Sequence, residues 1–388
     1  MPSKARADIN FGGAHFERSV CFRSFVFPGR ASFDGATFSN IADFTEAAFF
    51  SDADFCVATF SGAASFRRVM FSGGTNFDRA TFRSTAHFIS ASFCGPAGFE
   101  GAQFCDEGHF RSATFSDYAS FNGAEFSAIT TFVQAAFLGA ANFSWAVFSD
   151  NAFFAETAFS LGASFNSTTF SGHAHFEVAM FADSADFTEA EFGRHTSFAG
   201  ARFARLVPDF RDSELREATE WHDAEWPHAS TDRARAQQQV YSYERLKAEM
   251  ERLKKYADEQ FFFAKELRAR RALERRGSLK YLLNFAYETF AGYGQSVRRP
   301  MFWLVILFAA GAGLFALTPT RKGAPLAYDE AAALSITNLI SFLPYKPDKG
   351  TVDGLSPLAK IIGDLQSFLG VILLFLLGLA LRNQFRMK

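Results

Sequence analysis

The 388-residue chain is poor in the groups that do chemistry. Its four cysteines, Cys21, Cys56, Cys94 and Cys105, show no metal-ligand spacing and are expected to be free thiols in a reducing cytosol. Cys94 and Cys105 stand eleven residues apart at equivalent repeat positions, half a coil in the fold argued below, and are not expected to touch. No nucleophile is paired with a base, no glycine-rich loop suits a phosphate, and no carboxylate pair has a pocket to hold it. Neither enzymatic activity nor a cofactor nor a bound metal is expected. Met1 to Asn10 holds no apolar run, so no secretory leader is expected.

A surplus of one charge sign is also missing, since the net charge is only −2, but the balance is uneven. Residues 1–203 hold 20 acidic and 12 basic side chains, whereas residues 265–299 hold 9 basic and 3 acidic ones. Such polarity fits an acidic arm in water and a basic foot at an anionic membrane surface.

What the chain has in abundance is phenylalanine, 52 residues of it. Phe stands at every multiple of eleven from Phe11 to Phe198 and again five residues after each, from Phe16 to Phe203, which places 36 of the 52 on one lattice. A small residue usually precedes each Phe by two, as in Ala36-Thr37-Phe38, Ala42-Asp43-Phe44 and Thr75-Asn76-Phe77. Residues two apart share one side of an extended backbone, so the small and large residues face inward and the one between faces solvent. Apolar positions five and six apart would wander around a helix, which excludes helix for this half. Each unit must bury its apolar side against the next.

These units resemble the pentapeptide-repeat family, whose A(D/N)LXX units carry Leu or Phe at the centre. The resemblance covers about 55% of the chain and implies a right-handed quadrilateral β-helix in which four units make one square coil. The departure is one extra residue in every second unit, giving about 22 residues per coil and about ten coils over residues 9–227. The extra residue is expected to bulge at two opposite corners. Phe11, Phe16, Phe22, Phe27, Phe33, Phe38, Phe99, Phe104, Phe198 and Phe203 are then core rings, stacked from coil to coil at roughly 4.8 Å. Phe25 fills a slot that is otherwise small, so the first coils are expected to be distorted. After a gap of seven, Phe210, Leu215, Trp221 and Trp226 resume the spacing, and residues 204–227 are read as one degenerate coil capping the open end. Stacking places His87 above His109, with Thr131 and Phe153 between them and His175, and the column Asp54, Asn76, Asn142, Asp186 on another face. Both columns are read as solvent-facing.

Residues 229–276 form a connector. Ser230 or Thr231 is expected to cap a helix starting near Asp232, with the apolar seam Tyr243, Leu246, Met250 and Leu253. A second helical stretch starts near Asp258, so a helical hairpin or an oligomerising coiled coil fits. Ser278 to Phe290 carries Leu279, Leu282, Leu283, Ala286 and Phe290 on one side, the pattern of a helix lying on a membrane surface. Gly292-Tyr293-Gly294 follows it and reads as a flexible joint.

Met301 to Leu317 and Leu365 to Leu381 are uncharged runs of the length of transmembrane helices, with spans of about 301–318 and 362–381 inside a membrane domain of residues 300–388. Arg270, Arg271, Arg275, Arg276, Lys280, Arg298, Arg299, Arg382 and Arg386 are expected at the membrane surface. Positive flanks at both spans put both termini in the cytoplasm of a multi-pass inner-membrane protein. Between the spans, residues 329–343 make a helix too short to cross, either re-entrant or interfacial. Its plan resembles span–pore helix–span ion channels, which makes Thr337, Asn338 and Ser341 candidate pore-lining residues. The potassium filter TVGYG is absent and Pro344-Tyr345-Lys346-Pro347 stands in its place.

The expected function is an oligomeric ion-channel-like pore gated or anchored by the solenoid, a tetramer if the pore is fourfold. The alternative is a membrane-tethered scaffold for a cytoplasmic protein partner. Some pentapeptide-repeat proteins mimic DNA and bind topoisomerases, but two spans argue against that role, and no nucleic-acid partner is expected beside the lipid bilayer.

Overall fold

The small–polar–Phe triplets form strands of two residues, and the backbone turns a corner every five or six residues. The computed structural model describes residues 7–320, 324, 326–340 and 354–386. The chain divides into two compact units, one of Met1–Ser230 with Tyr241–Lys254, the other of Thr231–Val240 with Lys255–Lys388.

The first unit is a quadrilateral parallel β-solenoid. Its four sheets hold nine, nine, ten and nine strands, each paired with the strand four places on except at the last pair of the ten-stranded sheet, which gives about ten coils. Face I runs from Ile9–Asn10 to Ala185–Asp186, face II from His15–Phe16 to Glu191–Phe192, face III from Val20–Cys21 to Thr219–Glu220, and face IV from Val26–Phe27 to Arg202–Phe203. Registers such as Thr59↔Thr81 and Phe71↔Phe93 fix the coil at 22 residues. Phe33 over Phe55 and Phe38 over Phe60 lie at 4.8 and 4.7 Å between ring centroids, 1° from parallel. Rings on neighbouring ladders meet edge to face, as Phe55 and Phe66 do at 5.4 Å and 83°. Stacked and edge-on contacts are the two favoured aromatic geometries, and the square interior supplies both at once.

The corners differ in kind. Those that follow faces I and III are tight turns in which the residue three after the Phe donates its N–H back to the Phe carbonyl, as in Ala36→Phe33 at 2.9 Å and Ala47→Phe44 at 3.0 Å. The second residue of each has positive φ, from Gly13 to Gly200 at every eleventh position, yet thirteen of those eighteen are not glycine, among them Val57, Trp145 and Val178. At many of these turns the polar residue before the Phe adds a closing bond. Asp54, Asn76, Asn142 and Asp186 accept the N–H of Cys56, Asp78, Ser144 and Thr188 at 2.8–3.2 Å. The column read as solvent-facing is therefore also a row of Asx turns. The wide corners after faces II and IV hold the extra residue, at opposite corners as expected.

The terminal coil is present. A shift of 23 residues absorbs the slip, so that Thr196 pairs with Thr219 and Asp186 bridges Asp209. Phe210 lies on Phe187 at 4.9 Å, Trp221 on Phe198 at 4.8 Å, and Trp226 tilts 41° over Phe203. Phe27 to Phe203 on the ladders are buried, while Phe11, Phe16, Phe22 and Phe210, at the ends, are partly exposed. Phe25 corrects an expectation. It is 44% exposed, yet Val26↔Ala48 and Phe27↔Phe49 keep regular register. Strand Val26–Phe27 is the last in its sheet, so the large ring sits at the open end without straining a coil beneath it.

Helix α1 (Arg233–Arg252) is capped by Asp232, whose carboxylate accepts the Arg235 N–H at 2.9 Å, not by Ser230 or Thr231. Its seam Tyr243, Leu246 and Met250 is buried on the terminal coil, with Tyr243 6.2 Å from Trp226 and Arg245 paired to Asp212 at 3.1 Å. The seam is thus used within the chain, and α2 (Tyr256–Leu273) packs on α3 (Leu279–Ala291). The second unit continues with α4 (Arg298–Leu317), α5 (Tyr328–Leu339) and α6 (Pro357–Arg386).

Candidate membrane-embedded site

Helices α4 and α6 are long and apolar enough to cross a membrane, and only 17% and 22% of their most apolar stretches are buried. A core helix of a soluble protein would be mostly covered. Here Phe302, Val305, Phe368 and Phe375 are 60–68% exposed, while the inward side carries small and polar residues. In α6 that inward side is Ala359, Gly363, Gln366, Gly370 and Leu373, a seam with spacing 4, 3, 4, 3. Small residues inside and large apolar ones outside are the packing of helices in lipid, where close backbone approach replaces the hydrophobic drive.

α5 sits against both α4 and α6. Ser335, fully buried, donates to the Phe308 carbonyl of α4 at 2.9 Å, and Gln366 Nε2 donates to Ser335 Oγ at 2.6 Å and to the Leu307 carbonyl at 3.2 Å. Gly311 leaves room for that amide, and a Cβ at Gly370 would lie 2.7 Å from the Leu339 carbonyl. Gln366 Oε1 is buried without a donor among the described residues. Phe315, Ala331, Leu334, Leu355 and Ala359 close an apolar cluster beside this node.

The candidate pore-lining residues are placed differently from one another. Thr337 turns its hydroxyl to its own helix, donating to the Ala333 and Leu334 carbonyls at 2.9 Å. Asn338 lies against α6, where a Cβ on Gly363 would come within 3.0 Å of Asn338 Nδ2. Ser341 and Pro344 to Pro347 lie outside the described residues. Ser335 and Gln366 were missed by sequence reasoning, although a lone amide in an apolar run flanked by Gly363 and Gly370 is the signal that finds them.

The connector holds the other polar centre. Glu288 of α3 accepts from Arg268 at 2.7 Å and pairs with Arg271, both on α2. Burial pushes the Glu288 carboxyl up, but hydrogen bonds and charge from Arg268 and Arg271 outweigh it and leave its pKa below the ordinary value. Tyr293, fully buried, donates to Asn284 Oδ1 at 2.7 Å, and burial together with the Glu288 charge pushes its pKa up to about 12. The joint Gly292–Gly294 is therefore pinned, in correction of the flexible joint expected. Tyr293 holds φ 59°, and a Cβ on Gly294, φ 80°, would come 3.0 Å from Asn383 Nδ2 and 3.1 Å from the Tyr287 hydroxyl.

One end each of α4 and α6 meets this centre. Arg299 donates to the Glu288 carbonyl at 2.7 Å, Asn383 of α6 donates to the Gly294 carbonyl at 3.2 Å, and Arg386 lies 4.2 Å over the Tyr256 ring with Glu259 at 3.4 Å. Arg270 pairs with Glu266 on its own helix. Arg275, Arg276, Lys280, Arg298 and Arg382 are exposed, with no ion pair among the described residues. On α3, capped by Ser278, Leu279, Leu282 and Leu283 are 52–72% exposed, while Asn284 and Glu288 face α2.

Other surfaces of the solenoid unit offer less. His87 and His109 stack at 5.0 Å in register, and Phe153 stacks on His175, but no group of three or more His, Cys, Asp or Glu able to hold a metal occurs among the described residues. A cleft of about 410 Å³ lies between the terminal coil and α1. Its Arg211, Arg245 and Arg252 are answered by Asp209, Asp212 and Glu249, so no unbalanced charge awaits an ionic ligand.

A family model described as pentapeptide repeats (9 copies) matches residues 22–70, a little over two coils of the solenoid. The same lattice and strand register continue well beyond the matched segment. No curated protein and no solved structure matches the chain.

Proposed function

We propose that the chain is a multi-pass protein of the cytoplasmic (inner) membrane, with both termini and the solenoid in the cytoplasm, that assembles as an oligomer around an ion-channel-like pore. The positive flanks Arg298, Arg299, Arg382 and Arg386 support this topology. The observation that carries the pore is the node of Ser335, Gln366 and Gly311, which lodges a non-crossing helix between two spans and leaves a buried amide oxygen without a donor among the described residues. In lipid such an acceptor is costly and marks a path for water or cations. Fourfold assembly would set α5 around the axis, with Thr337, Asn338 and Ser341 near the permeation path. Potassium selectivity is no part of the proposal, because TVGYG is absent.

The solenoid's part is to gate or anchor. The ends of α4 and α6 are both tied to the Glu288–Tyr293 centre, so a displacement of α2 would move the two spans together. Reconstituted full-length chain should run as an oligomer in detergent and carry ions into liposomes, and Gln366→Leu should lower that flux. A detergent-stable monomer together with impermeable liposomes sinks the pore. A cytoplasmic protein that copurifies and is lost on mutating the rod surface would support a tethered scaffold instead.

A further inference from the structure

Face IV of the solenoid differs from the other three in charge. On each face the residues just before and just after the nine ladder phenylalanines point outward, eighteen positions in all. Five of these are charged on face I, all acidic, four on face II and five on face III, but on face IV only Arg202 is. Face IV instead exposes Val26, Phe50, Met70, Leu138 and Met180, each 39–49% accessible. Faces II and IV are equivalent in the lattice, since both lead into wide corners, so the coil geometry does not impose this difference. A row of exposed apolar side chains along one face of a soluble rod marks a docking surface.

We infer that face IV is where the solenoids of two copies of this chain pair, side by side and in register. The argument is self-complementarity. A twofold contact brings a face against itself; face I would then oppose aspartates to aspartates, whereas face IV opposes rows uncharged except at Arg202, which is paired to Glu225. Area decides how strong such a pair can be. Nine strands at about 4.8 Å, some 10 Å wide, offer roughly 400 Å² per copy, about half the ~800 Å² per partner of a standard interface. Pairing of this kind is weak in dilute solution and needs the two copies held together, as anchoring in one membrane does by raising their effective concentration. The inference rests on the membrane anchoring proposed above and not on the pore.

The chain carries its own probes. Cys56, Cys94, Cys105 and Cys21 lie on faces I, IV, II and III, and Cys94 and Cys105 are both exposed on opposite faces. In membranes containing full-length single-cysteine variants, a short bis-maleimide should yield a dimer from the chain that keeps Cys94 about tenfold more efficiently than from the chain that keeps Cys105. Met70→Asp and Leu138→Asp leave the phenylalanine core untouched and should each lower the Cys94 dimer about tenfold or more, since a buried unpaired carboxylate opposes pairing. Equal dimer from Cys94 and Cys105, or a Cys94 dimer indifferent to both substitutions, overturns the inference. So does protection of Cys94 from a water-soluble maleimide without dimer, which would assign the face to another occupant. Fractionation of the same samples checks anchoring, and ion flux plays no part in the readout, so failure of pairing is distinct from failure of the pore.

Discussion

Replacing Phe99 by Ala tests whether the ladder behaves as one rigid lattice. Phe99 is fully buried, stacked between Phe77 at 5.0 Å and Phe121 at 4.8 Å, and edge-on to Phe88 at 5.4 Å and Phe110 at 5.6 Å. Truncating a buried Phe costs about 3–5 kcal/mol, more where the site cannot collapse. Collapse is prevented here because the rings above and below are held at the strand spacing by the backbone ladders, so a loss near 5 kcal/mol is expected. Phe11 offers the contrast. It sits at the open end, partly exposed and stacked on one side only, on Phe33 at 5.1 Å, so Phe11→Ala should cost less than half as much. Urea unfolding of the full chain in a membrane mimic gives the two losses, and hydrogen exchange locates the opening. In a repeat rod the coils around residue 99 should lose protection first, with the ends retaining theirs. Equal costs for the two variants, or under about 2 kcal/mol for Phe99→Ala, would refute the rigid-lattice argument.

Val178 is 60% exposed at φ 57°, a conformation that costs an L residue roughly 1–2 kcal/mol. Val178→Gly relieves it and gives back about 0.4–1 kcal/mol through the freer unfolded chain, so thermal melting should show a small net gain; a loss would mean that the strain is offset locally. Gly370→Leu forces a side chain against the Leu339 carbonyl and should separate α5 from α6, read as lost oligomer and faster proteolysis between the spans, with the solenoid's melting unchanged. His87 has its pKa lowered to about 4, by burial first and then by Arg67 and His109. Because the folded value lies below the unfolded 6.5, the unfolded chain takes up a proton that the folded one refuses, so stability falls as pH drops from about 6.5 toward 4. With a partly exposed ring the loss is discounted to about 1 kcal/mol, and His87→Thr, the residue already at Thr131 in this column, should remove that part of the acid sensitivity in denaturation curves at pH 7.5 and pH 5.

Everything that faces inward in the solenoid was legible, because a narrow coil converts interior position directly into residue type. The period, the terminal coil beyond Phe203 and the order of the His87 column follow from counting. The corners were less legible. Asp54 or Asn76 as a turn-closing acceptor looks the same in sequence as a solvated polar residue, and Val57 at positive φ breaks the usual preference for glycine. Least legible were contacts between distant helices. Glu288 meeting Arg268 and Arg271, Ser335 meeting Gln366, and the α1 seam settling on Trp226 instead of α2 depend on packing that no local period encodes. The candidate pore residues illustrate this limit: helical spacing put Thr337 and Asn338 on one polar side, but Thr337 spends its hydroxyl on its own backbone.

The two kinds of corner explain how the four faces come to differ. A tight corner can be closed by an acceptor one residue before the Phe, as Asp43, Asp54 and Asn76 close theirs, so the polarity of faces I and III is partly structural, although the corners after Phe99 and Phe154 form with Gly98 and Phe153 at that position. Wide corners impose no such acceptor, since their amides bond to the preceding coil, as Ser39 N–H does to Phe16 and Phe50 N–H to Phe27 at 2.9 and 3.0 Å. Faces II and IV are therefore the surfaces on which outward chemistry can change without touching the fold. Face II uses that freedom for Glu125 and Glu191, and face IV for Met70, Leu138 and Met180. Because the ladder beneath them is the same, exchanging the outward residues of faces II and IV should move the dimer-forming face to the opposite side of the rod while leaving its stability unchanged.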